Sequence, residues 1–352
     1  KIIILTAFND FEYARQCVGL GVCEYIMKPI NPAKIREALK KNSSVTKPQI
    51  AKETGLTSAT VGTILNDLLE KNEILELNHG KSTGGRPPKE YSYNFDYFHC
   101  LILFPFEKNN LTYMHICISN LGETNLYEEE RVLSNIDLSC IKSIVNEMIV
   151  KFPKIKVVGF GNAGTNEEDL ITFSDYSSLE GLNLTEELSI SVVIENDVNS
   201  AAIGFNKRKG FNENPSTVYI FFPESYPPGS ALLIDNKLYK GYKNCAGEIA
   251  NIKYIEWNKD IYNSFDKFCK NSSNLIEIMS AVLNPDCFIL SGNFLTKEHI
   301  NEISKICSKS LPKTLMAEVY LTKNYTNDLI LGLKELCINR VFPQTILTRG
   351  KI

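Results

Sequence analysis

A polar pair of residues ends a run of β-branched residues near the middle of the chain. After the apolar residues 192–194 come Glu195, Asn196 and Asp197, and small residues follow from Ser200 onward. Carboxylates and amides that converge in a cleft suit a polyol, because each hydroxyl both donates and accepts hydrogen bonds. An Asn or Asp at a helix start can instead cap the helix by accepting a backbone N–H. The pair therefore predicts either a polyol-binding cleft or a helix N-terminus.

A stretch in the first third of the chain has the pattern of two helices joined by a tight turn. Thr46 and Gln49 form a capping box for a short first helix, and Gly55 supplies the turn. Thr57 caps a second helix, predicted over 58–72. The expected buried stripe of that helix consists of Val61, Ile64, Leu65 and Leu68.

The opposite side of this helical pair carries small and hydroxyl side chains, which can approach base edges and phosphates closely. The residues predicted to contact DNA here are Thr46, Lys47, Gln49, Thr57, Ser58, Ala59, Thr60 and Thr63. A tight helical pair with no DNA contact is the alternative for this pattern taken alone. The loop "HGKSTGGRPP" that follows is flexible and cationic, so Lys81 and Arg86 are expected at a minor groove or phosphate backbone.

The first segment of the chain reads as strand, helix, strand and helix, which is half of a doubly wound sheet. The strands are predicted at 2–5 and 25–27 and the helices at 11–20 and 33–41. The segment resembles the last part of a response-regulator receiver domain. In that family a Thr, an aromatic residue and a Lys form the switch around a phospho-Asp. The resemblance assigns those positions to Thr6, Tyr25 and Lys28.

The acceptor Asp and acidic metal site of a receiver domain would lie upstream of Lys1. The segment as it stands is therefore expected not to accept phosphate by the receiver mechanism. The chain also lacks an initiating Met, so it is expected to be a fragment of a longer protein.

From Tyr97 onward the chain alternates strands and helices in two successive sets. The motifs "GFGNAG", "VVIENDVNSAA", "GSALLIDNKLYKGYKNCAGEIANI" and "LNPDCFILSGN" lie in this part. Together with the helical pair and "STGGRPP", they resemble the ROK-type transcriptional regulators, named for repressors, open reading frames and kinases. The resemblance covers nearly everything after Ala33.

The resemblance implies an α/β protein of three parts. These are a partial receiver-like βαβα segment at 1–41, a winged helix-turn-helix domain at 33–95, and a duplicated ribonuclease-H-like (actin/hexokinase-type) two-lobe domain at 96–352. Winged helices of the family need one more helix upstream of the helical pair. The helix at 33–41 has the right spacing, so it is predicted to serve both the receiver-like segment and the winged helix.

The resemblance also assigns sugar-binding positions. Asn196, Asp197 and Glu248 match family residues that hydrogen-bond sugar hydroxyls, and Gly164 matches a loop of close approach. Asp197 occupies the place of the general base in the kinases of the family. Asn251 stands where the family has a His, and it can still make one hydrogen bond.

The kinase chemistry of the family is expected to be lost. Residues 107–111 replace a phosphate loop that has two glycines and a Thr in the family. Pro227 and Pro228, which have no N–H donors, replace much of the second phosphate loop. The His and Cys ligands of the family's zinc site are also missing. No enzyme activity, no cofactor and no metal are therefore expected.

Composition sets broader bounds on the chain. Its 352 residues allow two or three domains, and its ten cysteines show no metal-ligand spacing, so they are expected to be reduced thiols of a cytoplasmic protein. No apolar run has the length of a membrane span and no signal peptide is evident. The net charge is −3, yet residues 33–90 carry a local charge of +3, which favours a DNA-facing piece.

These observations predict a DNA-binding transcriptional regulator, a repressor, whose degenerate ROK domain serves sugar-type effector sensing and dimerisation. The expected partners are duplex DNA, a sugar or sugar derivative, and further copies of the chain, with no membrane. The alternatives are a phosphorylation-gated response regulator with a ROK-like output and, less favoured, an ATP-dependent hexose kinase.

Overall fold

A computed structural model of the chain describes residues 3–6, 24–27, 32–77, 88–122, 124–211, 215–223 and 227–342. For 3–6 and 24–27 it describes the backbone alone. The chain divides into two compact units, of which the first ends at Tyr97 and the second spans Phe98–Phe342.

The first unit begins with two parallel strands, β1 (Ile3–Thr6) and β2 (Glu24–Met27). They lie within a residue of the predicted strands, with Thr6 at the end of β1 and Tyr25 inside β2. The predicted helix at 11–20 and Lys28 lie outside the described residues. The receiver-like character of the segment therefore stays a prediction.

Three helices and a small antiparallel sheet make up the rest of the first unit. The helices are α1 (Ala33–Lys41), α2 (Lys47–Thr54) and α3 (Ser58–Glu70). The strands are β3 (Val45–Thr46), β4 (Ile74–Leu77) and β5 (Glu90–Tyr93), in the order β3-β5-β4. The α1 helix has the predicted bounds, whereas α3 ends two residues before the predicted end.

Local capping explains where these helices begin and end. The Thr46 backbone N–H donates to Gln49 Oε1 at 2.8 Å, which is half of the predicted capping box. Gly55 ends α2 with a φ of 71°, a conformation that Gly adopts without strain. Thr57 Oγ1 accepts the Thr60 backbone N–H at 3.2 Å at the start of α3. All four residues of the predicted stripe are buried, so the 3.6-residue period identified the inner face correctly.

A buried ion pair ties α1 to the sheet end of the first unit. The Arg36 guanidinium donates to both carboxylate oxygens of Glu73, whose exposure is 1%. The Tyr93 hydroxyl also donates to Glu73, at 3.3 Å. Helix α1 is thus held by the same carboxylate that holds β5, which fits the prediction that 33–41 is the first helix of the DNA-binding part.

The second unit contains two five-stranded sheets. The strands of its first half are β6 (His99–Lys108), β7 (Leu111–Ser119), β8 (Asn125–Leu133), β9 (Ile155–Asn162), β10 (Gly164–Glu167), β11 (Leu170–Ser174) and β12 (Ser191–Asn196). Strands β10 and β11 form a separate hairpin, and the first sheet has the order β12-β9-β6-β7-β8. Its strands β6, β7 and β8 are antiparallel, whereas β6, β9 and β12 are parallel.

The second sheet repeats this topology. Its strands are β13 (Thr217–Phe221), β14 (Gly229–Ile234), β15 (Lys237–Leu238), β16 (Cys287–Ser291) and β17 (Glu318–Thr322), in the order β15-β14-β13-β16-β17. As in the first sheet, the first strand lies in the middle, an antiparallel pair follows on one side and two parallel strands on the other. We call the two halves the first lobe and the second lobe, and each has its own apolar cluster. The predicted duplication of an α/β unit is therefore present.

The helices of the second unit cover both lobes. They are α4 (Leu138–Lys151), α5 (Leu184–Leu188), α6 (Asp197–Lys209), α7 (Lys259–Tyr262), α8 (Phe265–Leu283), α9 (Lys297–Ser310) and α10 (Tyr325–Val341). In the part of the chain that the structure describes, no helix combines the length and apolarity of a membrane span.

Helices α6 and α10 follow the last strands of their respective sheets and cross in close contact. A Cβ built on Gly204 of α6 would lie 1.8 Å from the Asp328 carbonyl oxygen, and one on Gly332 of α10 would lie 1.8 Å from that of Ser200. The two backbones touch where these glycines meet. This crossing brings the N-termini of both helices, at Asp197 and Tyr325, to one place.

Candidate functional site

The N-terminus of α6 is organised by Asn196. The Asn196 side-chain oxygen accepts the Asn199 backbone N–H at 3.0 Å, and its amide nitrogen donates to the Gly164 carbonyl at 3.1 Å. Asn196 therefore caps the helix and also ties β12 to the β10–β11 hairpin. Asn196 is therefore a helix cap, and both its side-chain oxygen and its side-chain nitrogen already have hydrogen-bond partners within the chain.

Gly164 is required by the hairpin itself. A Cβ at this position would lie 2.2 Å from the Phe173 carbonyl oxygen, because β10 and β11 pair here. Any side chain would force the two strands apart. The predicted close approach at Gly164 is thus an approach between two segments of the chain.

Asp197 lies in the first turn of α6 with both carboxylate oxygens engaged. Oδ1 accepts the Val198 backbone N–H at 2.9 Å, and Oδ2 accepts the Tyr325 hydroxyl at 2.8 Å. The pKa of Asp197 is raised to about 6, mainly by burial and to a smaller extent by the Asp175 carboxylate, against the lowering effect of the two hydrogen bonds. The carboxyl group therefore changes charge close to neutral pH.

Tyr325 is a site residue that sequence reasoning missed. Its ring stacks on Phe221 at the end of β13, with centroids 3.8 Å apart and planes at 13°. Burial, together with the negative charge of Asp197, raises the pKa of the Tyr325 phenol well above its ordinary value. The phenol thus stays protonated and serves as a hydrogen-bond donor. No motif around residue 325 indicated this role, since the pairing depends on the crossing of α6 and α10.

Acidic side chains surround this point. Partial burial raises the pKa of Glu248, and the negative charge of Asp175 raises it as well. Desolvation likewise raises the pKa of Asp175, with a second contribution from Glu107. Asp175 therefore acts electrostatically on both Asp197 and Glu248, which places the three carboxylates around a common region. Asp175 was not predicted from the sequence.

The predicted polyol residues are brought together only in part. Gly164, Asn196 and Asp197 are adjacent, and Glu248 joins them through its electrostatic coupling to Asp175. Asn251 ends a short 3-10 turn and is exposed. Among the described residues, no hydrogen bond joins its side chain to the other predicted positions.

A buried carboxylate behind the site links the two lobes. Glu195 accepts hydrogen bonds from the Asn196 backbone and the Asn199 side chain, each at 3.0 Å. It also pairs with Lys240 of the second lobe at 2.6 Å. The position of Asn196 thus depends on a contact between the lobes. Glu195 precedes the motif pair directly, yet nothing in its spacing pointed to Lys240.

An open depression in the second unit lies elsewhere. It measures about 610 Å³ and lies between the β10–β11 hairpin and a 3-10 turn at Tyr242–Asn244. Its lining consists of Glu167, Glu168, Leu170, Tyr242, Lys243 and Asn244. None of the predicted polyol residues lines it, so this depression and the region around Asp197 are distinct.

The segments that replace the two phosphate loops have defined conformations. Residues 107–111 form the tight end of the β6–β7 hairpin, where Asn109 and Asn110 have φ values of 54° and 59°. Pro227 and Pro228 lead directly into β14 at Gly229, whose backbone pairs with Phe221. Within the described ranges, no group of three or more His, Cys, Asp or Glu side chains is arranged to hold a metal ion. The expected absence of a cofactor stays a prediction.

The predicted DNA-contacting residues lie on the surface of the first unit. Gln49, Thr57, Ser58, Ala59 and Thr63 are exposed. Thr46, Lys47 and Thr60 are half-buried, and the Thr57 and Thr60 hydroxyls lie 2.9 Å apart within the helix cap. Lys81 and Arg86 lie outside the described residues. The outward face of α3 is therefore free of the unit's own apolar core.

Replacing Asp197 by Asn is expected to stabilise the second unit at neutral pH. Asn keeps an oxygen that accepts the Tyr325 hydroxyl, but it buries no charge. The pKa of Asp197 is raised from 3.8 to about 6, so the folded parent loses stability as pH rises between those values. Since one pKa unit corresponds to about 1.4 kcal/mol and the helix N-terminus favours a carboxylate, we expect a net gain of about 1–2 kcal/mol.

Urea unfolding of the parent and of Asp197→Asn, at about pH 7.5 and again below about pH 4, measures this gain. Below about pH 4 the side chain at position 197 is uncharged in both proteins. The difference between them should vanish in acid. A gain of the same size at both pH values would show that the charge of Asp197 is not its cause.

Comparisons with known proteins give consistent relatives. The chain is 25% identical over 340 residues to the xylose repressor of Bacillus subtilis, covering 93% of this chain and 83% of that protein. It is 23% identical over 296 residues to the xylose repressor of Caldicellulosiruptor bescii, covering 79% and 72%. No family model matches the chain.

Solved structures share the fold. A ROK family transcriptional regulator described as a homologue of the E. coli MLC protein superposes with a TM-score of 0.64 at 13% identity, covering 89% of this chain and 97% of that one. A ROK hexokinase from Thermus thermophilus superposes with a TM-score of 0.53 at 10% identity, covering 69% and 99%. The regulator thus matches a larger part of this chain than the kinase does.

Proposed function

We propose that the chain is a DNA-binding repressor of the ROK type that senses a sugar, because it is similar over most of its length to proteins named xylose repressors. The observation that carries the proposal is the first unit, whose α3 helix presents an exposed face of small and hydroxyl residues. A sugar kinase has no use for such a unit. The unit instead suits the major groove of duplex DNA.

The first unit is proposed to be a winged helix. Helices α1, α2 and α3 bury Ile35, Ile50 and Leu65, and β4 and β5 form an antiparallel pair. Residues 78–87, which contain Lys81 and Arg86, connect those two strands. In this arrangement α3 reads the major groove while the cationic connection reaches the minor groove or the phosphates.

The polar region at the α6 N-terminus is proposed to bind the effector. Asp197, Glu248 and Asp175 supply carboxylate acceptors, and Tyr325 supplies a hydroxyl donor, which together suit the hydroxyls of a sugar. Xylose is the first sugar to test, because proteins similar over most of this chain are named xylose repressors. Asn196 positions the region by capping α6, and Asn251 is proposed as an additional contact.

Phosphoryl transfer is not proposed. The conformations at Asn109-Asn110 and Pro227-Pro228 offer neither the glycines nor the full set of N–H donors that a phosphate cradle requires. The Asp197 carboxylate is moreover engaged by Tyr325. The two-lobe unit is proposed to act as an effector sensor and as the scaffold of a homodimer, since a repressor of this kind reads paired half-sites.

The DNA-binding part of the proposal predicts a steep salt dependence. Duplex sequences selected from a random pool should bind with an affinity that falls at least about tenfold between about 50 and 200 mM salt, because phosphate contacts release counterions. Arg86→Ala should weaken binding by about 1–3 kcal/mol if that side chain enters the minor groove. Fluorescence anisotropy over a salt series measures both effects.

Two outcomes of this experiment count against the proposal. If no duplex is enriched by the parent chain, the protein is not a DNA-binding repressor. If Arg86→Ala binds the selected duplex as tightly as the parent, the connection between β4 and β5 makes no contact with DNA.

The effector part predicts reciprocal linkage between sugar and DNA. The sugar should weaken DNA binding by the same factor by which DNA weakens sugar binding. We expect a modest affinity in the millimolar range, about 4 kcal/mol. Asp197→Ala should remove the sugar response while DNA affinity without sugar stays unchanged.

Calorimetry against xylose and a panel of other sugars tests this linkage, and a coupled assay with ATP on the same preparation should show no sugar phosphorylation. If no sugar gives a heat change or a thermal shift, the two-lobe unit is a dimerisation scaffold only. If the parent phosphorylates a sugar and Asp197→Asn abolishes this turnover, the protein is a sugar kinase.

A further inference from the structure

Helix α3 contains a glycine in its interior, at position 62. Gly is the least favourable helix-interior residue after Pro, so an interior Gly requires a packing reason. Here the neighbour is Lys47, the first residue of α2. A Cβ built on Gly62 would lie 2.5 Å from Lys47 Nζ and 3.1 Å from Lys47 Cε. The Lys47 side chain therefore lies across α3 in the space that any larger residue at 62 would fill.

The Lys47 ammonium is held there by packing rather than by charge. In residues 32–77 and 88–97 no hydrogen bond or ion pair engages it. Asp67 of α3 pairs instead with Lys71, at 2.7 Å. Lys47 is half-buried, so its stem is covered while its positive charge has no partner of its own.

The ammonium borders the face of α3 that is exposed. Ala59 and Asn66 lie three residues before and four residues after Gly62, so they share its side of the helix. Both are exposed, as is Thr63. A cation at this edge is positioned next to whatever lies against the outward face of α3.

We propose that Gly62 is a positioning residue for DNA binding, whose missing side chain lets Lys47 cross α3 and place its ammonium on a DNA phosphate beside the recognition face. This inference rests on the proposed DNA-binding function. Gly62 itself contacts no DNA group in this proposal. Its role is to leave the space that the Lys47 side chain occupies. The contact that it permits is a charge on phosphate, so it affects affinity and salt dependence rather than sequence preference.

The test variant is Gly62→Ala in the full chain. The new methyl group must displace the end of the Lys47 side chain, which is flexible, so the fold is expected to persist. Because Ala is the better helix former, the melting temperature should stay the same or rise. Affinity for the selected duplex should nevertheless fall about five- to tenfold, and the slope of log affinity against log salt should decrease by about one.

A double-variant cycle separates the role of Gly62 from any general effect. Lys47→Ala alone should produce the same loss of affinity and of salt slope. In the Lys47→Ala background, Gly62→Ala should have no further effect on DNA affinity. Lys71→Ala is the matched control for removing one positive charge from the first unit, since Lys71 already pairs with Asp67, and it should change affinity about twofold at most.

The outcomes distinguish this inference from the function on which it rests. If the parent binds DNA and Gly62→Ala or Lys47→Ala binds with unchanged affinity and salt slope, the positioning role is wrong and the DNA-binding function stands. If Gly62→Ala weakens DNA binding equally with and without Lys47, the methyl group acts in some other way and the inference also fails. If the parent selects no duplex, both proposals fail.

Discussion

Gly204→Ala is expected to cost the second unit more than about 4 kcal/mol of stability, the range of exceptional single substitutions. The new Cβ would lie 1.8 Å from the Asp328 carbonyl oxygen and 2.8 Å from the Gly332 backbone nitrogen. These are backbone atoms of α10, so no side chain can rotate away to make room. Relief requires separating two helices, and proteins are stable by only about 5–15 kcal/mol in total.

The substitution should also act on the candidate effector site. The Tyr325 hydroxyl at the start of α10 lies 2.8 Å from Asp197 Oδ2 at the start of α6. Separating the two helices lengthens this hydrogen bond. Urea unfolding followed by circular dichroism measures the stability. Gly181→Ala is a matched control, because Gly181 has a φ of +79° but no atom within 4 Å of its added Cβ; it should cost only about 1–2 kcal/mol of backbone strain. Equal unfolding midpoints for Gly204→Ala and the parent would mean that α6 and α10 do not meet at this glycine.

Glu73→Ala is expected to cost the first unit about 3–5 kcal/mol, because it removes a buried carboxylate from an ion pair with Arg36. Glu73 is 1% exposed and accepts from Arg36 and from the Tyr93 hydroxyl. Removing it takes away the acceptor that Arg36 of α1 and Tyr93 of β5 share. For a unit of this small size the loss should abolish DNA binding along with the fold.

Thermal unfolding of Glu73→Ala, with DNA affinity measured alongside, tests this expectation. Glu73→Gln keeps the shape and an acceptor oxygen, so it should lose less than the Ala variant. Lys71→Ala breaks an exposed ion pair to Asp67 in the same unit, and pairs of this kind contribute about 0.5 kcal/mol or less. If Glu73→Ala and the parent have the same melting temperature, α1 is not held to the first unit by this ion pair.

The local structure of this protein follows from its sequence. The Thr46 and Gln49 capping box, the turn at Gly55 and the buried stripe on α3 all depend on spacings of three or four residues. Such spacings are set by the geometry of a single helix, so a linear pattern contains all the information that they need. Asn196 belongs to the same class, since an N-cap bonds a backbone N–H three residues away.

The repetition of strand and helix patterns likewise predicted two α/β lobes. Pattern alone left their strand order open, because β6 lies beside β7, to which a tight hairpin joins it, and also beside β9, which follows much later in the chain. The resemblance to a known family supplied the expectation of a duplicated ribonuclease-H-like fold. The two sheets of identical topology agree with it.

Only the tertiary structure decided the chemistry around Asp197. The Tyr325 hydroxyl reaches Asp197 from 128 residues away along the chain, and Lys240 reaches Glu195 from the other lobe. The first contact depends on where α6 and α10 cross, and that crossing depends on Gly204 and Gly332 meeting backbone to backbone. A glycine in a helix looks the same in sequence whether it faces solvent or another helix. The sequence by itself therefore determined the helices, the strands and the polar pair, whereas the fold decided which partners that pair has, because long-range partners are set by the path of the chain and not by residue spacing.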